Sequence, residues 1–292
     1  MPELPEVEVT RRLIEPLLVG RRIARVITTR PSYFFLTPPP VLRRRLVGRR
    51  VTALDRVGKY LLARIDDEAR LLLHLGMTGQ LFGGGVSSVR LLSSAAGAAL
   101  TPEAQARGFR PDRHTHLRLG FADGGPEVVF RDVRKFGKVQ LLEPGEDSPR
   151  LRRLGQDALG ASGARLFAAA RARRTPIKSV LLDQSVLAGI GNIYADEALF
   201  LAGVRPARAA RRVTGAECAA IARRVRQVLR RSIATGGSSI SDYVRPDGED
   251  GRYQDERRVY GRAGEPCPRC GASIRRRVIG QRSSHYCPRC QR

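Results

Sequence analysis

The residues best equipped for chemistry open the chain: Met1-Pro2-Glu3-Leu4-Pro5-Glu6. A small second residue such as proline permits removal of the initiator methionine, which leaves Pro2 as a secondary amine on a rigid ring. An α-amino group titrates near about pH 8, so a sizeable fraction is neutral and nucleophilic at physiological pH. Such an amine attacks a carbonyl-like carbon to give a Schiff base, which splits one hard displacement into two easier steps. Glu3 and Glu6 stand three apart and share a face if the segment is helical. A carboxyl beside an amine nucleophile is the pairing that proton transfer at a reacting carbon needs. The same residues also suit an ordinary helix start, because proline and glutamate favour a first turn. Leu4, Val7, Ile14 and Leu18 then supply an apolar stripe. Both readings stay open on these residues alone.

A second set of reactive side chains lies at the other end. Cys267-Pro-Arg-Cys270 and Cys287-Pro-Arg-Cys290 are separated by sixteen residues. That spacing presents four thiolates tetrahedrally to one Zn²⁺, and four protein ligands leave no open position, so the metal is structural. Cys218 stands apart in a helical pattern. The run Ser273–Tyr286 between the pairs reads as a basic β-hairpin turning near Gly280, a ribbon suited to clamping phosphates. His285 is read as a hairpin side chain, since four cysteines already complete a site.

Gly189-Ile-Gly191-Asn192 joins two helical patterns, with Asn192 expected as the N-cap of the second. A glycine-rich lead into a helix N-terminus is an anion site. An ordinary capped corner is the commoner use of such a turn. Here the charge favours the phosphate grip: the 292 residues carry a formal net charge of +25. So large an excess implies a polyanionic partner, nucleic acid first. Four of the 53 basic residues are lysine (Lys59, Lys135, Lys138, Lys178), and Asn192 is the chain's single asparagine. A sequence that avoids lysine so strongly keeps one where a compact ammonium is needed. No apolar run reaches membrane-spanning length and no basic-then-apolar leader opens the chain, so a cytoplasmic protein without a membrane partner is expected.

The elements that must position these groups fall into an α+β arrangement. A helix is expected over 3–18, with Gly20 closing it, and another over Pro38–Val47. Strands are expected at Ile23–Thr29, Val51–Val57, Tyr60–Ile65, Arg70–Leu75, Leu117–Phe121, Val128–Phe130 and Lys138–Leu142, with a turn at Asp123-Gly124-Gly125. Many short strands with turn signals suggest a sandwich or barrel. The stretch from Phe82 to Pro111 has no period and reads as a long loop with a short helix at Pro102–Arg107. Helical periodicity then dominates, at 149–154, 162–173, 176–186, 192–202 and 214–233. The expected domains are 1–143, a hinge at 144–150, a helical domain over 151–260 that includes a polar loop at 236–260, and a zinc finger over 261–292.

Pro-Glu-Leu-Pro-Glu-Val after the initiator methionine resembles the N-terminus of bacterial formamidopyrimidine-DNA glycosylases of the Fpg/Nei superfamily. Gly-Ile-Gly-Asn-Ile-Tyr-Ala-Asp-Glu-Ala-Leu-Phe is very similar to that family's helix–two-turns–helix motif. The resemblance implies an N-terminal β-sandwich flanked by helices, a helix–two-turns–helix domain and a C-terminal zinc ribbon. It implies Pro2 as nucleophile, Glu3 as proton donor to the opening sugar and Glu6 in support. Lys59 in Gly-Lys-Tyr-Leu-Leu and Arg282 in Gly-Gln-Arg-Ser-Ser match further active-site positions, the latter a grip on phosphates flanking the lesion. Lys178 and Asn192 match DNA-backbone contacts. Met77, in His74-Leu-Gly-Met-Thr-Gly, with Arg134 and Phe136 in Arg-Asp-Val-Arg-Lys-Phe-Gly, matches the trio that fills the void left by a flipped base, and His74 joins them as a DNA contact. Packing in the core is the commoner use of such a Met or Phe. The loop 236–260 falls where the family caps the lesion. The implied activity is a bifunctional glycosylase and abasic-site lyase on formamidopyrimidines and 8-oxoguanine in damaged duplex DNA, acting as a monomer with one structural zinc. A Nei-type enzyme for oxidised pyrimidines is the nearer alternative, against which Leu4 speaks; a non-catalytic zinc-finger nucleic-acid-binding protein is the other. The 83–110 stretch is longer than the family's usual connection.

Overall fold

The computed structural model describes residues 2–88, 108–240 and 243–292. The helix expected at Pro102–Arg107 lies outside the described residues. Internal contacts divide the chain into two compact units, Met1–Ser148 with Gly236–Arg252, and Pro149–Thr235 with Tyr253–Arg292. The reading from sequence grouped 236–260 with the helical domain; by contacts, 236–252 packs with the N-terminal unit.

The N-terminal unit is a β-sandwich with flanking helices. Its elements are α1 (Leu4–Leu18), β1 (Ile23–Thr28), α2 (Pro39–Leu46), β2 (Val51–Val57), β3 (Tyr60–Ile65), β4 (Arg70–His74), β5 (Gly79–Gly83), β6 (Thr115–Phe121), β7 (Val128–Asp132) and β8 (Lys138–Leu142). They form two antiparallel four-stranded sheets, ordered β1-β6-β7-β5 and β2-β3-β4-β8. One apolar cluster joins the sheets: Val7, Ile14 and Leu18 of α1 meet Leu61, Leu71 and Leu73 of one sheet and Leu117, Leu119 and Phe130 of the other. Each fully buried side chain of this kind contributes about 1.5–3 kcal/mol.

Strand β5 went unseen in the sequence. Glycines bound it, and Gly-Gln-Leu-Phe-Gly shows no alternation because all five residues are buried. Those glycines permit close approach. A Cβ on Gly83 would lie 2.9 Å from Leu17 of α1, and one on Gly79 would lie 2.2 Å from the Leu75 carbonyl oxygen.

The second unit contains α3 (Pro149–Arg152), β9 (Gln156–Asp157), α4 (Gly163–Ala170), α5 (Ile177–Leu182), β10 (Leu187–Ala188), α6 (Asn192–Ala202), α7 (Gly215–Ala234), β11 (Arg275–Ile279) and β12 (Arg282–Tyr286). Helix α7 opens on a reciprocal capping box between Thr214 and Glu217. Helix α6 ends at left-handed Gly203. Helix α4 packs against α7 so tightly that a Cβ on Gly163 would sit 2.5 Å from the Ala219 Cα. Helix α5 stops at Leu182, short of the expected 186, because the Asp183 carboxylate accepts the Ser185 N–H and hydroxyl and so favours a turn. Among the described residues no helix is long and apolar enough to cross a membrane.

Candidate active site and nucleic-acid interface

Pro2 is buried and precedes α1 directly, with Glu3 as the N-cap. Glu6 reaches back, and its Oε2 accepts the Glu3 N–H at 2.8 Å in a capping box. Its other oxygen accepts the Ser238 N–H at 2.9 Å, and the Tyr243 hydroxyl donates to the Glu6 carbonyl at 3.4 Å. Burial, then the Glu6 charge, pushes the Tyr243 phenol far above its ordinary range, so it remains a donor. Glu3 and Glu6 are only 3% and 2% exposed. The segment after Gly236 thus anchors on the residue that orders the helix start. Sequence reasoning missed Ser238 and Tyr243, because their partner lies more than 200 positions away.

Lys59 sits in the two-residue turn Gly58-Lys59 that joins β2 to β3, across which Val57 pairs with Tyr60. Arg56 links that turn to α1, donating to the Gly58 carbonyl and to Glu8, each at 3.0 Å. Glu8 also accepts from Arg11 and Arg12. Burial works against its ionisation, yet the guanidinium hydrogen bonds outweigh it and hold the Glu8 carboxyl below its ordinary range. His74 ends β4 opposite Tyr60, their rings 4.7 Å apart, and its Nδ1 accepts the Gly76 N–H at 3.2 Å.

Met77 occupies the turn between β4 and β5 and is half-buried. Arg134 and Phe136 lie between β7 and β8. Phe136 is 43% exposed, so it does not pack in the core, and the Arg134 guanidinium lies over its ring at 4.6 Å. Lys135 between them adopts φ +58, an uncommon left-handed conformation for a residue other than glycine.

In the second unit Lys178, Asn192 and β12 come together. Lys178 Nζ and Asn192 Nδ2 both donate to the Ser283 carbonyl at 2.9 Å, one residue from Arg282. Lys178 is fully buried and pairs with Asp196 at 2.6 Å. The other Asp196 oxygen accepts the His285 N–H at 2.8 Å. Adjacent Glu197, also buried, gathers the N–H groups of Arg258, Val259 and Tyr260 at 2.9–3.0 Å. Burial raises the Glu197 carboxyl above its ordinary range against those donors. One expectation needs correcting. Asn192 is the first helical residue of α6, and Gly191 is the N-cap. The side chain is therefore free of capping and turns to the hairpin. Asp196 and Glu197 were missed, although two adjacent acids inside an apolar helix are themselves the signal that buried donors await them.

The four cysteine sulfurs lie within 4.8 Å of one another. Two of their separations are 3.5 and 3.9 Å. Zinc–sulfur bonds of about 2.3 Å in a tetrahedron give edges of about 3.8 Å, so the donor set fits Zn²⁺. Backbone N–H groups of Arg269 and Cys290 donate to Cys267 and Cys287 sulfur, each at 3.4 Å, as thiolate ligands require. Phe200, Val259 and Ile274 pack beneath. His285 stays with Asp196, outside this set. The site is that of one structural zinc.

The family model for the formamidopyrimidine-DNA glycosylase N-terminal domain matches residues 1–139, the H2TH-domain model matches 154–244, and the model for the zinc finger of FPG and IleRS matches 264–292. A formamidopyrimidine-DNA glycosylase of Paracoccus denitrificans is 45% identical, with both chains covered in full. A Lactococcus lactis Fpg mutant solved with Fapy-dG-containing DNA aligns at TM-score 0.85 and 32% identity over the whole of both chains. The wild-type Lactococcus lactis protein solved with oxidised-pyrimidine DNA aligns at 0.84 and 31%, again over both whole chains. Identity at this level over the full length of both chains, together with a matching domain order and a zinc-binding cysteine set, places the chain in the formamidopyrimidine-DNA glycosylase family of DNA-repair glycosylases.

Proposed function

We propose that this chain excises oxidised purines, formamidopyrimidines and 8-oxoguanine, from duplex DNA and then cuts the strand as an abasic-site lyase. The imino nitrogen of Pro2, freed by loss of Met1, attacks C1′ of the damaged nucleotide. The C1′–N bond to the base breaks, and the base leaves with a proton. Glu3 delivers a proton to O4′ as the sugar opens, which gives a Schiff base between Pro2 and C1′. β-Elimination releases the 3′ phosphate and δ-elimination the 5′ phosphate, and water returns the amine. Glu6 holds the Glu3 backbone in place; Lys59 and Arg282 complete the catalytic set, Arg282 gripping the phosphates that flank the lesion, and Lys178 and Asn192 are the DNA-backbone contacts. Met77, Arg134 and Phe136 fill the space of the extruded nucleotide.

The observation that carries this reading is the burial of two carboxylates, Glu3 and Glu6, in the first turn that follows Pro2. Buried carboxylates held by backbone N–H donors cluster where proton chemistry is done. Borohydride trapping on an 8-oxoguanine duplex tests it. A covalent protein–DNA adduct is expected, and it should vanish in Pro2→Gly and when a tag blocks the N-terminus. Tight binding without any adduct would leave a zinc-finger DNA-binding protein instead. Because a relative was solved with oxidised-pyrimidine DNA, a thymine-glycol duplex belongs in the same assay; faster cutting there marks a pyrimidine preference.

A further inference from the structure

The proposed groove-filling side chains stand on two separate turns, the β4–β5 turn with Met77 and the β7–β8 loop with Arg134 and Phe136. Between the two turns lies a fully buried carboxylate, Asp132, the last residue of β7. Its Oδ1 accepts the Thr78 hydroxyl at 2.5 Å, one residue from Met77. The same oxygen accepts the Arg134 N–H at 3.2 Å, and Thr78 Oγ1 accepts that N–H as well at 3.1 Å. Oδ2 accepts the Gly137 N–H at 2.7 Å, one residue from Phe136. The main chain of Asp132 is fixed too, since buried His116 donates from Nε2 to its carbonyl at 2.9 Å. Burial holds the His116 imidazole below its ordinary range, so the ring is neutral and keeps one donor for that bond.

The turns are also pressed together. A Cβ on Gly76 would lie 2.5 Å from the Gly137 nitrogen and 2.5 Å from the Phe136 carbonyl carbon. The two turns meet there backbone against backbone. This matters because Phe136 and Arg134 are exposed, and exposed side chains on loops lose conformational entropy when they enter a duplex. A scaffold that holds them in advance reduces that cost at the moment of base extrusion.

We propose that Asp132 is a positioning residue for base extrusion: by bonding both turns it makes Met77, Arg134 and Phe136 one rigid wedge. This rests on the glycosylase reading above. The step it serves is the removal of a stacked, paired base from the helix. A duplex that already carries an abasic site has no base to evict, so the wedge has less to do there. Asp132→Asn keeps the size of the side chain but places an amide donor against one of the N–H or O–H donors.

The experiment compares single-turnover rates of Asp132→Asn on an 8-oxoguanine duplex and on a preformed abasic duplex. Excision of 8-oxoguanine should fall on the order of 10- to 100-fold, with strand cutting at the abasic site reduced by no more than about threefold. A 2-aminopurine placed beside the lesion should show slower fluorescence change before any bond breaks. Thr78→Val, which removes only the bridging hydroxyl, should give the same selective loss in a smaller degree, and Thr78→Ser should restore the wild-type ratio. Equal loss on both duplexes in Asp132→Asn and Thr78→Val would mean general damage and overturn the proposal. So would an unchanged rate on 8-oxoguanine. A wild-type protein that cuts neither duplex overturns the glycosylase reading, and this proposal with it.

Discussion

At the scale of single residues, the acids decide more than the many arginines do. Glu8 is the clearest case: a mostly buried carboxylate answered by Arg11, Arg12 and Arg56. Its folded-state pKa is lowered, so its contribution is complete above the ordinary carboxylate range and is lost as pH falls through the lowered folded value. Glu8→Gln should cost about 2 kcal/mol at pH 7 in urea unfolding, and the gap to wild type should shrink steadily toward pH 3. Lys178 and Asp196 form the other telling pair, both fully buried. Lys178→Met alone leaves a buried charge without its counter-ion and should cost about 3–5 kcal/mol. Lys178→Met with Asp196→Asn should recover more than half of that, as read by thermal melting. The sequence pointed to Lys178 through its rarity, but it hid Asp196, Asp132 and Ser238, whose partners are brought together only by folding.

At the scale of elements, boundaries set by local chemistry were legible. The capping proline and glutamate of α1, the Gly48 stop after α2 and the Asp123-Gly124-Gly125 turn each act on neighbours along the chain. Strand β5 and the end of α5 were not legible, because a fully buried glycine-bounded strand has no alternation and an aspartate can end a helix without proline or glycine. The hairpin β11–β12 was read from its flanking cysteines, and it carries a prediction. Its Ser283 carbonyl takes both Lys178 and Asn192, so loss of zinc releases two DNA-contact candidates together with Arg282. Removing the metal with a strong chelator should lower duplex affinity at least about tenfold. Hydrogen exchange should speed up across 275–286 while β1–β8 remain protected.

At the scale of the whole molecule, the charge governs. A formal excess of +25 makes binding to any duplex steeply salt-dependent, with a slope in log–log terms of about −0.9 for each phosphate neutralised. Arg282→Gln should reduce that slope by about one unit and weaken intact and damaged duplex alike, as measured by fluorescence anisotropy from low to physiological salt. A residue that reads the lesion itself would instead change the ratio between the two.

The path of the backbone through the two units limits how the molecule can be taken apart. Gly236–Arg252 packs with Met1–Ser148 although the whole second helical series separates them in sequence. A recombinant fragment ending near Ser148 therefore lacks the strand of chain that supplies the Ser238 amide and the Tyr243 hydroxyl to Glu6. Truncation at the apparent hinge strands a buried carboxylate, and the resulting half should be poorly folded until a peptide spanning 236–252 is added back.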